Sequence, residues 1–282
     1  MARHARHHPP RRGEGGRPAP DRELLYGINP VEAALRAGRR RLTALLIKAG
    51  PPSEKLALLR RLAEERHLPV SEHRAPELEL LSGSTSHQGA VLRCGALPLA
   101  DEEAALAWGA WSAQEAGEGR GESAVALPRP PPLLVALDQV EDPRNLGAIV
   151  RSAAAFAARG VVLPRDHSAP LSAAASSASA GTLEDLPVYR AANLARFLEA
   201  ARKRGFWVAG TVPAGGEHPG RYVHDRPLVL VLGSEGRGLR PLVLRHCDLR
   251  LSVPLPGAGR VDSLNVSAAA AVVLAYLLAR PG

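Results

Sequence analysis

The stretch LVLVLGSEGRGL, Leu228–Leu239, decides the fold class of this chain. Its uninterrupted apolar half is typical of a β-strand buried on both faces, and a glycine-rich segment follows the strand directly. Four more apolar runs alternate with helical segments in the same half of the chain: LLVALD, GVVLP, LPVYR and FWVAGTV. Strands that alternate with helices predict βα crossovers. Residues 133–282 are therefore predicted to form an α/β fold with a parallel sheet covered on both faces.

The glycine-rich turn is a candidate ligand site, because open α/β folds bind ligands at the carboxyl ends of their parallel strands. The spacing of Gly233, Gly236 and Gly238 is not the dinucleotide-binding fingerprint, and no Gly-Lys-Ser/Thr follows as in a P-loop. A tight turn in which Glu235 is merely solvated explains the pattern equally well.

A second candidate is VDSLNVSAAAAVVLAYLLAR, Val261–Arg280, which follows a predicted strand through Val253. An apolar helix is predicted from Ala268 onward, and its head is crowded with polar side chains: Asp262, Ser263, Asn265 and Ser267. One of these would suffice to cap the helix. The excess indicates that the helix head also faces a functional site.

The third candidate is DQVEDPRNLGAIVRSAAAF, Asp138–Phe156, directly after a predicted strand. Pro143 and Asn145 are typical of a helix start. Arg151 then stands alone among small and apolar residues, where burial is costly unless the guanidinium meets an anion. The alternative is that Asn145 caps the helix and Arg151 extends to water.

The composition favours a polyanionic partner and a reducing compartment. The formal net charge is +8, and the arginine-rich residues 1–22 carry much of it. The two cysteines lie far apart and predict no disulfide framework, which fits the cytoplasm. No secretory signal is predicted, no apolar run approaches the about 20 residues that span a bilayer, and no metal-ligand set is predicted.

Periodicity and composition divide the chain into a disordered basic tail (1–22), a small α/β domain (23–95), a linker (96–132) and the α/β domain 133–282. In the small domain, GINPVEAALRAG predicts a helix with Asn29 as its N-cap and Gly38 at its end. Within 96–132, DEEAALAWGAWSAQ is compatible with one helix, and the linker is predicted because EAGEGRGESAVALPRPPP has no periodicity and is rich in Gly and Pro.

In chain order, Asn-x5-Arg, Gly-x-Glu-x-x-Gly and Ser-Leu-Asn-x-Ser resemble the three signature motifs of the SpoU (TrmH-like) RNA 2′-O-ribose methyltransferases. The resemblance covers residues 133–282. Residues 23–95, with YGINPVEAAL near the start and HQGAVL near the end, resemble the substrate-binding domain of the ribosomal RNA branch.

The resemblance implies a SPOUT-type parallel sheet with a C-terminal trefoil knot, a homodimer, and methylation of a guanosine ribose in 23S rRNA. It implies S-adenosylmethionine as the cofactor, in a cleft formed by Thr211, Leu232, Gly233, Val253, Leu255 and Leu264. It also implies Arg151 as the principal catalytic residue, as a base or as a group that stabilises the oxyanion and grips phosphate, supported by Asn145, Glu235, Ser263 and Asn265.

Three other functions remain open from the sequence. One is a ribose methyltransferase that acts on tRNA or confers antibiotic resistance. Another is a non-catalytic RNA-binding ribosome-assembly factor, and the third is a dinucleotide-dependent oxidoreductase, against which the missing fingerprint argues.

Overall fold

The computed structural model describes residues 23–111, 131–257 and 263–278, and their strands form two sheets. The smaller sheet has the strand order β1-β4-β2-β3. Its domain contains β1 (Glu23–Tyr26), α1 (Ile28–Ala37), β2 (Leu42–Lys48), α2 (Glu54–Glu65), β3 (Val70–His73), α3 (Ala75–Ser82) and β4 (Ala90–Cys94). The tail 1–22 lies outside the described residues.

The larger sheet has seven strands, all paired in parallel, in the order β11-β9-β10-β6-β7-β8-β5. In chain order its elements are β5 (Ala100–Asp101), α4 (Glu102–Leu106), β6 (Leu133–Asp138), α5 (Pro143–Ala155), β7 (Gly160–Pro164), α6 (Ala173–Ala178), α7 (Thr182–Asp185), β8 (Val188–Ala191), α8 (Leu194–Lys203), β9 (Trp207–Thr211), β10 (Leu228–Gly233), α9 (Pro241–Arg245), β11 (Leu249–Leu251) and α10 (Val266–Leu278).

The predicted parallel sheet with two covered faces is confirmed. Side chains of β6 alternate between two hydrophobic clusters: Leu133, Val135 and Leu137 join the one that contains α5 and α10, whereas Leu134 and Ala136 join the one that contains α8. The chain runs from β6 outward through β7 and β8, then returns to place β10 on the other side of β6. The crevice at such a reversal of strand order is where α/β sheets bind ligands.

Within the predicted linker 96–132, residues 100–110 are folded, and α4 lies inside the segment DEEAALAWGAWSAQ that is compatible with a helix. Ala100 pairs with Tyr189 at the sheet edge, and the Asp101 side chain accepts a hydrogen bond from the backbone N–H of Ala104, 2.9 Å away, to cap α4. Leu106 is buried against the α8 side of the sheet. Residues 112–130 lie outside the described residues.

Helix α1 is capped from a distance, so Asn29 is not its N-cap. The helix begins at Ile28, and the backbone N–H of Ile28 donates to Oε1 of Gln88 at 3.0 Å. Gly27 precedes the helix with φ 94°, whereas Gly38 ends it in the left-handed conformation, as predicted.

A buried ion pair joins the two domains. Arg40, before β2, donates from Nε to Oε2 of Glu184 at 2.7 Å and from Nη2 to Oε1 at 3.1 Å; both side chains are 1% exposed. Ser176 donates to the same carboxylate at 2.8 Å, and Nη1 of Arg40 donates to Glu23 at 2.6 Å. Burial opposes the charge of Arg40, but its hydrogen bonds and the charge of Glu184 outweigh burial and raise the Arg40 pKa.

The predicted trefoil knot depends on the path of the C-terminal segment, of which residues 258–262 lie outside the described part, and it stays a prediction. Among the described helices, none combines the length and the apolar character that crossing a bilayer requires. The cytoplasmic location stays a prediction as well.

Arg40→Met should lower the free energy of unfolding by about 3–5 kcal/mol, because it leaves the Glu184 carboxylate buried and unpaired. Urea denaturation followed by circular dichroism measures this change. Arg36→Met is the matched control, since Arg36 pairs with Glu32 at the surface and should cost less than about 1 kcal/mol. Equal, small effects of both substitutions would contradict the structural role of the buried pair.

Candidate functional site

A cavity of about 500 Å³ opens where β9, β10 and β11 end and α10 begins. Its walls are the whole turn 233–239, the apolar residues Leu251, Val253 and Leu255, and residues of α10 that include Ala269 and Val273. Two of the three sequence motifs therefore line one cavity at the carboxyl edge of the sheet, as expected for a ligand site of this architecture.

Five of the six residues predicted to bind a cofactor line this cavity: Thr211, Gly233, Val253, Leu255 and Leu264. Leu232 does not line it, and its assignment to the cofactor stays a prediction. Successive side chains of a strand point to opposite faces, and Leu232 is fully buried in the hydrophobic cluster beneath α5 and α10.

Gly233 is required by the turn itself. The N–H of Ser234 donates to Gly238 O at 3.2 Å and the N–H of Gly238 donates to Ser234 O at 2.9 Å, so the two ends of the turn are hydrogen-bonded to each other. A Cβ on Gly233 would overlap the backbone of Gly238 and Leu239. Gly236 is different, because a Cβ there would meet nothing within 4 Å.

One carboxylate oxygen joins residues from all three motifs. Oε1 of Glu235 accepts a hydrogen bond from Nδ2 of Asn145 at 2.9 Å, a short one from Nδ2 of Asn265, and one from the backbone N–H of Val266 at 3.4 Å. Asn265 also donates to Oδ1 of Asn145 at 3.0 Å. The structure thus brings together the turn after β10, the start of α5 and the start of α10.

Asn265 is also the cap of α10. Its Oδ1 accepts from the backbone N–H of Ser267 at 3.0 Å, from that of Ala268 at 3.3 Å, and from the Ser267 hydroxyl at 2.6 Å. Ser263 is exposed and lines the cavity. Asp262 lies outside the described residues. The polar helix head therefore both caps the helix and borders the cavity.

Arg151 is exposed on α5, whose buried face carries Leu146, Ile149 and Val150. It lies six positions after Asn145, which is about 9 Å along a helix. Its guanidinium makes no hydrogen bond or ion pair with any residue that the structure describes. The structure therefore keeps Arg151 on the same helix as the cluster but not in contact with it, and leaves its charge available to a ligand.

Asp138 is a residue that the sequence analysis missed. Its carboxylate is fully buried at the end of β6 and accepts from the backbone N–H of Arg240 at 2.8 Å and from Nε of Arg240 at 2.7 Å. This pair ties the end of β6 to the chain that leaves the glycine turn. The only local signal is an aspartate that ends a buried strand.

Two ionisable side chains border the cavity, Glu235 and Arg237, among the residues described. Cys247 packs against Gly210 of β9, since a Cβ added to Gly210 would lie 2.6 Å from the Cys247 sulfur. Burial raises the pKa of this thiol to about 11, so it stays protonated at neutral pH and cannot act as a thiolate nucleophile.

Residues 132–275 match the model of the SpoU rRNA methylase family, and residues 24–100 match that of the RNA 2′-O ribose methyltransferase substrate-binding domain. The chain is 38% identical to the 23S rRNA (guanosine-2′-O-)-methyltransferase RlmB of Pseudomonas aeruginosa, over 91% of this chain and 96% of that protein. It is 40% identical to an uncharacterized tRNA/rRNA methyltransferase of Mycolicibacterium smegmatis, over 93% of this chain and 78% of that protein.

A solved structure with the same fold is the AdoMet-bound rRNA methyltransferase from Sinorhizobium meliloti. It superposes with a TM-score of 0.69 at 24% sequence identity, covering 90% of this chain and 85% of that one. The similarity includes both sheets, because the matched share of this chain is larger than either domain alone.

Asn265→Ala should remove the cap of α10 and one partner of Glu235, lowering the stability by about 1 kcal/mol and weakening S-adenosylmethionine binding in the adjacent cavity. Asn193→Ala is the matched control, since Asn193 caps α8 by accepting from the N–H of Arg196 at 3.1 Å. It should cost similar stability without weakening binding. Isothermal titration calorimetry measures the affinity for S-adenosylmethionine. Equal affinities of the two variants would show that Asn265 does not contribute to cofactor binding.

Proposed function

Because this chain belongs to the SpoU rRNA methylase family, we propose that it transfers a methyl group from S-adenosylmethionine to the ribose 2′-hydroxyl of a guanosine in 23S rRNA. The observation that carries the proposal is the Glu235 cluster, which joins one residue of each motif beside an apolar cavity. The match of the substrate-binding domain and the named activity of the Pseudomonas relative support ribosomal RNA as the substrate.

The cavity suits S-adenosylmethionine in size and chemistry. Its volume of about 500 Å³ lies within the range of small-molecule sites, and its apolar walls suit an adenosine. We expect Thr211, Gly233, Val253, Leu255 and Leu264 to hold the cofactor, which when bound supplies an electrophilic methyl group on its sulfonium. The open space beside Gly236 leaves the turn accessible from outside.

The proposed role of Arg151 follows from its charge and exposure. A guanidinium stays protonated at neutral pH, so Arg151 is suited to grip the phosphate next to the target ribose and to stabilise negative charge on the 2′-oxygen. All the hydrogen bonds to the Glu235 carboxylate among described residues go to Oε1. Its Oε2 is therefore the candidate acceptor for the proton of the 2′-hydroxyl.

Asn145 and Asn265 position this carboxylate, and Ser263 borders the cavity at the head of α10. We expect the two amides to keep Glu235 in one rotamer while substrate binds. Neither amide changes protonation at neutral pH, so their contribution is orientation rather than proton transfer.

We also propose that the protein acts as a homodimer. Helices α5 and α10 pack against each other within the chain, so part of their small apolar surface is already covered. The exposed side of α10 remains available and includes Tyr276, which is 45% exposed. Light scattering after gel filtration measures the mass of the particle directly.

The substrate is tested by incubating the protein with labelled S-adenosylmethionine and separate samples of unmodified 23S rRNA, 16S rRNA and tRNA. The expected result is label in 23S rRNA, resistant to alkaline hydrolysis at one guanosine, because a 2′-O-methyl group blocks cleavage. Label in tRNA would favour the transfer RNA alternative. Binding without any label would favour the non-catalytic assembly factor.

S-adenosylmethionine, but not NAD, should raise the melting temperature, because a ligand that binds only the folded state stabilises it by mass action. Ala269→Leu should abolish the shift by filling the cavity from α10. The neighbouring Ala268→Leu, on the exposed side, should keep it. A shift with NAD alone would overturn the cofactor assignment.

Arg151→Ala should bind S-adenosylmethionine normally yet lose about two to three decades in turnover, the scale of one lost oxyanion partner. Arg151→Lys should not restore the rate, since a point charge does not reproduce the planar fork. Arg196→Ala is the control, because Arg196 is an exposed arginine of α8 on the opposite face of the sheet. Near-normal methylation by Arg151→Ala would remove Arg151 from the mechanism and leave Glu235→Gln as the next variant to assay.

A further inference from the structure

The small domain contains a second cavity of about 500 Å³, at the end of β2 and the start of α3. Its apolar walls include Leu56, and its polar lining residues are Lys48, Ser53, Thr85, His87 and Gln88. No carboxylate is among the described residues that line it. The cavity therefore offers one cation and several hydrogen-bond donors with no acidic group to compensate them.

Lys48 ends β2 and is exposed at the cavity. In the ranges that the structure describes, its ammonium makes no hydrogen bond and no ion pair. Lys203 differs, since its ammonium pairs with Glu199 at 2.7 Å. The positive charge of Lys48 is thus available to an anion that enters the cavity.

His87 supplies a donor whose orientation is fixed. The residue is only 7% exposed, and its Nδ1 lies 3.0 Å from the backbone nitrogen of Gly89, which must donate. In the neutral ring the proton then resides on Nε2. Nε2 has no partner among the described residues, so this N–H is a donor for a ligand in the cavity.

The two residues after His87 hold it in place. Gln88 adopts φ 51°, and its side chain caps α1 through Ile28. Gly89 adopts φ 82°, and an added Cβ would lie 3.1 Å from Cβ of Lys48. The HQG tripeptide therefore fixes the imidazole, caps a helix and allows close approach to Lys48, each through a different residue.

We propose that this cavity is an RNA subsite outside the methylation site, which binds one nucleotide of the substrate through its backbone phosphate. Lys48 neutralises the phosphate, and Nε2–H of His87 donates to the same nucleotide. The apolar wall with Leu56 accommodates the sugar or base. This inference rests on the proposed RNA methyltransferase function and adds a point of attachment that sets which RNA reaches the active site.

The chain has only three lysines, Lys48, Lys55 and Lys203, so chemical protection reports on the subsite directly. The full-length protein is acetylated with a lysine-reactive ester, with and without unmodified 23S rRNA transcript, and analysed by mass spectrometry. RNA should protect Lys48 several-fold more than Lys203. Equal protection of all three lysines overturns the proposal in favour of general shielding, and protection of Lys48 by inorganic phosphate as strong as that by RNA at matched phosphate concentration overturns it in favour of a small-anion site.

Lys48→Gln should raise KM for the rRNA about tenfold and lower the slope of log affinity against log salt by about one, with S-adenosylmethionine affinity unchanged. Lys55→Gln is matched in charge, exposed on α2, and outside the cavity lining, and it should change neither value. His87→Asn should raise KM too, because its amide oxygen can still accept from Gly89 while the outward donor is lost.

A wild-type protein that labels no RNA contradicts the methyltransferase function itself. A wild-type protein that methylates rRNA, with the same KM and salt slope in Lys48→Gln, contradicts only the subsite.

Discussion

In the α/β domain 133–282, hydrogen bonds from distant parts of the chain meet at one carboxylate oxygen, Oε1 of Glu235. Three donors reach it from two segments that are far apart in the chain: Asn145 at the start of α5, and Asn265 with the backbone N–H of Val266 at the start of α10. A parallel sheet makes this convergence possible, because its strands all end at one edge. The glycine turn that carries Glu235 must close tightly on itself to hold the oxygen there, which explains why no side chain fits at Gly233.

The sheet could be predicted from the sequence because burial on both faces leaves a local signature. The strand LVLVLG is apolar throughout, and β6, β7 and β10 are buried at every position. The edge elements β5 and α4 could not be predicted in the same way. Two paired residues and a five-residue helix carry too little periodicity to define their bounds, and the cluster that buries Leu106 is built from β7, β8 and α8, which come much later in the chain.

Parts of the candidate site could be predicted because some of its residues are unusual for their place in the sequence. Asn265 stood out because four polar side chains at one helix head exceed what capping requires, and it both caps α10 and contacts Glu235. The burial of the Leu232 side chain could not be read from its place beside the glycine turn, because a strand residue next to such a turn can still face the core. The cap of α1 could not be predicted for another reason: the capping residue Gln88 lies 60 residues from Ile28, and nothing in the sequence near Asn29 indicates this contact.

The Arg40–Glu184 pair limits which combinations of the two domains would be stable. Its two halves lie in different domains, and Arg40 is the cation that pairs with the buried Glu184, whereas Arg40 also pairs with Glu23 of its own domain. Exchange of the small domain with that of a relative would carry one half of the pair without the other. A recombinant that lacks Arg40 would bury the Glu184 carboxylate without a charge partner, whereas one that lacks Glu184 would leave Arg40 with Glu23 alone. The small domain can therefore be exchanged without loss of stability only if the incoming domain also carries an arginine at this position.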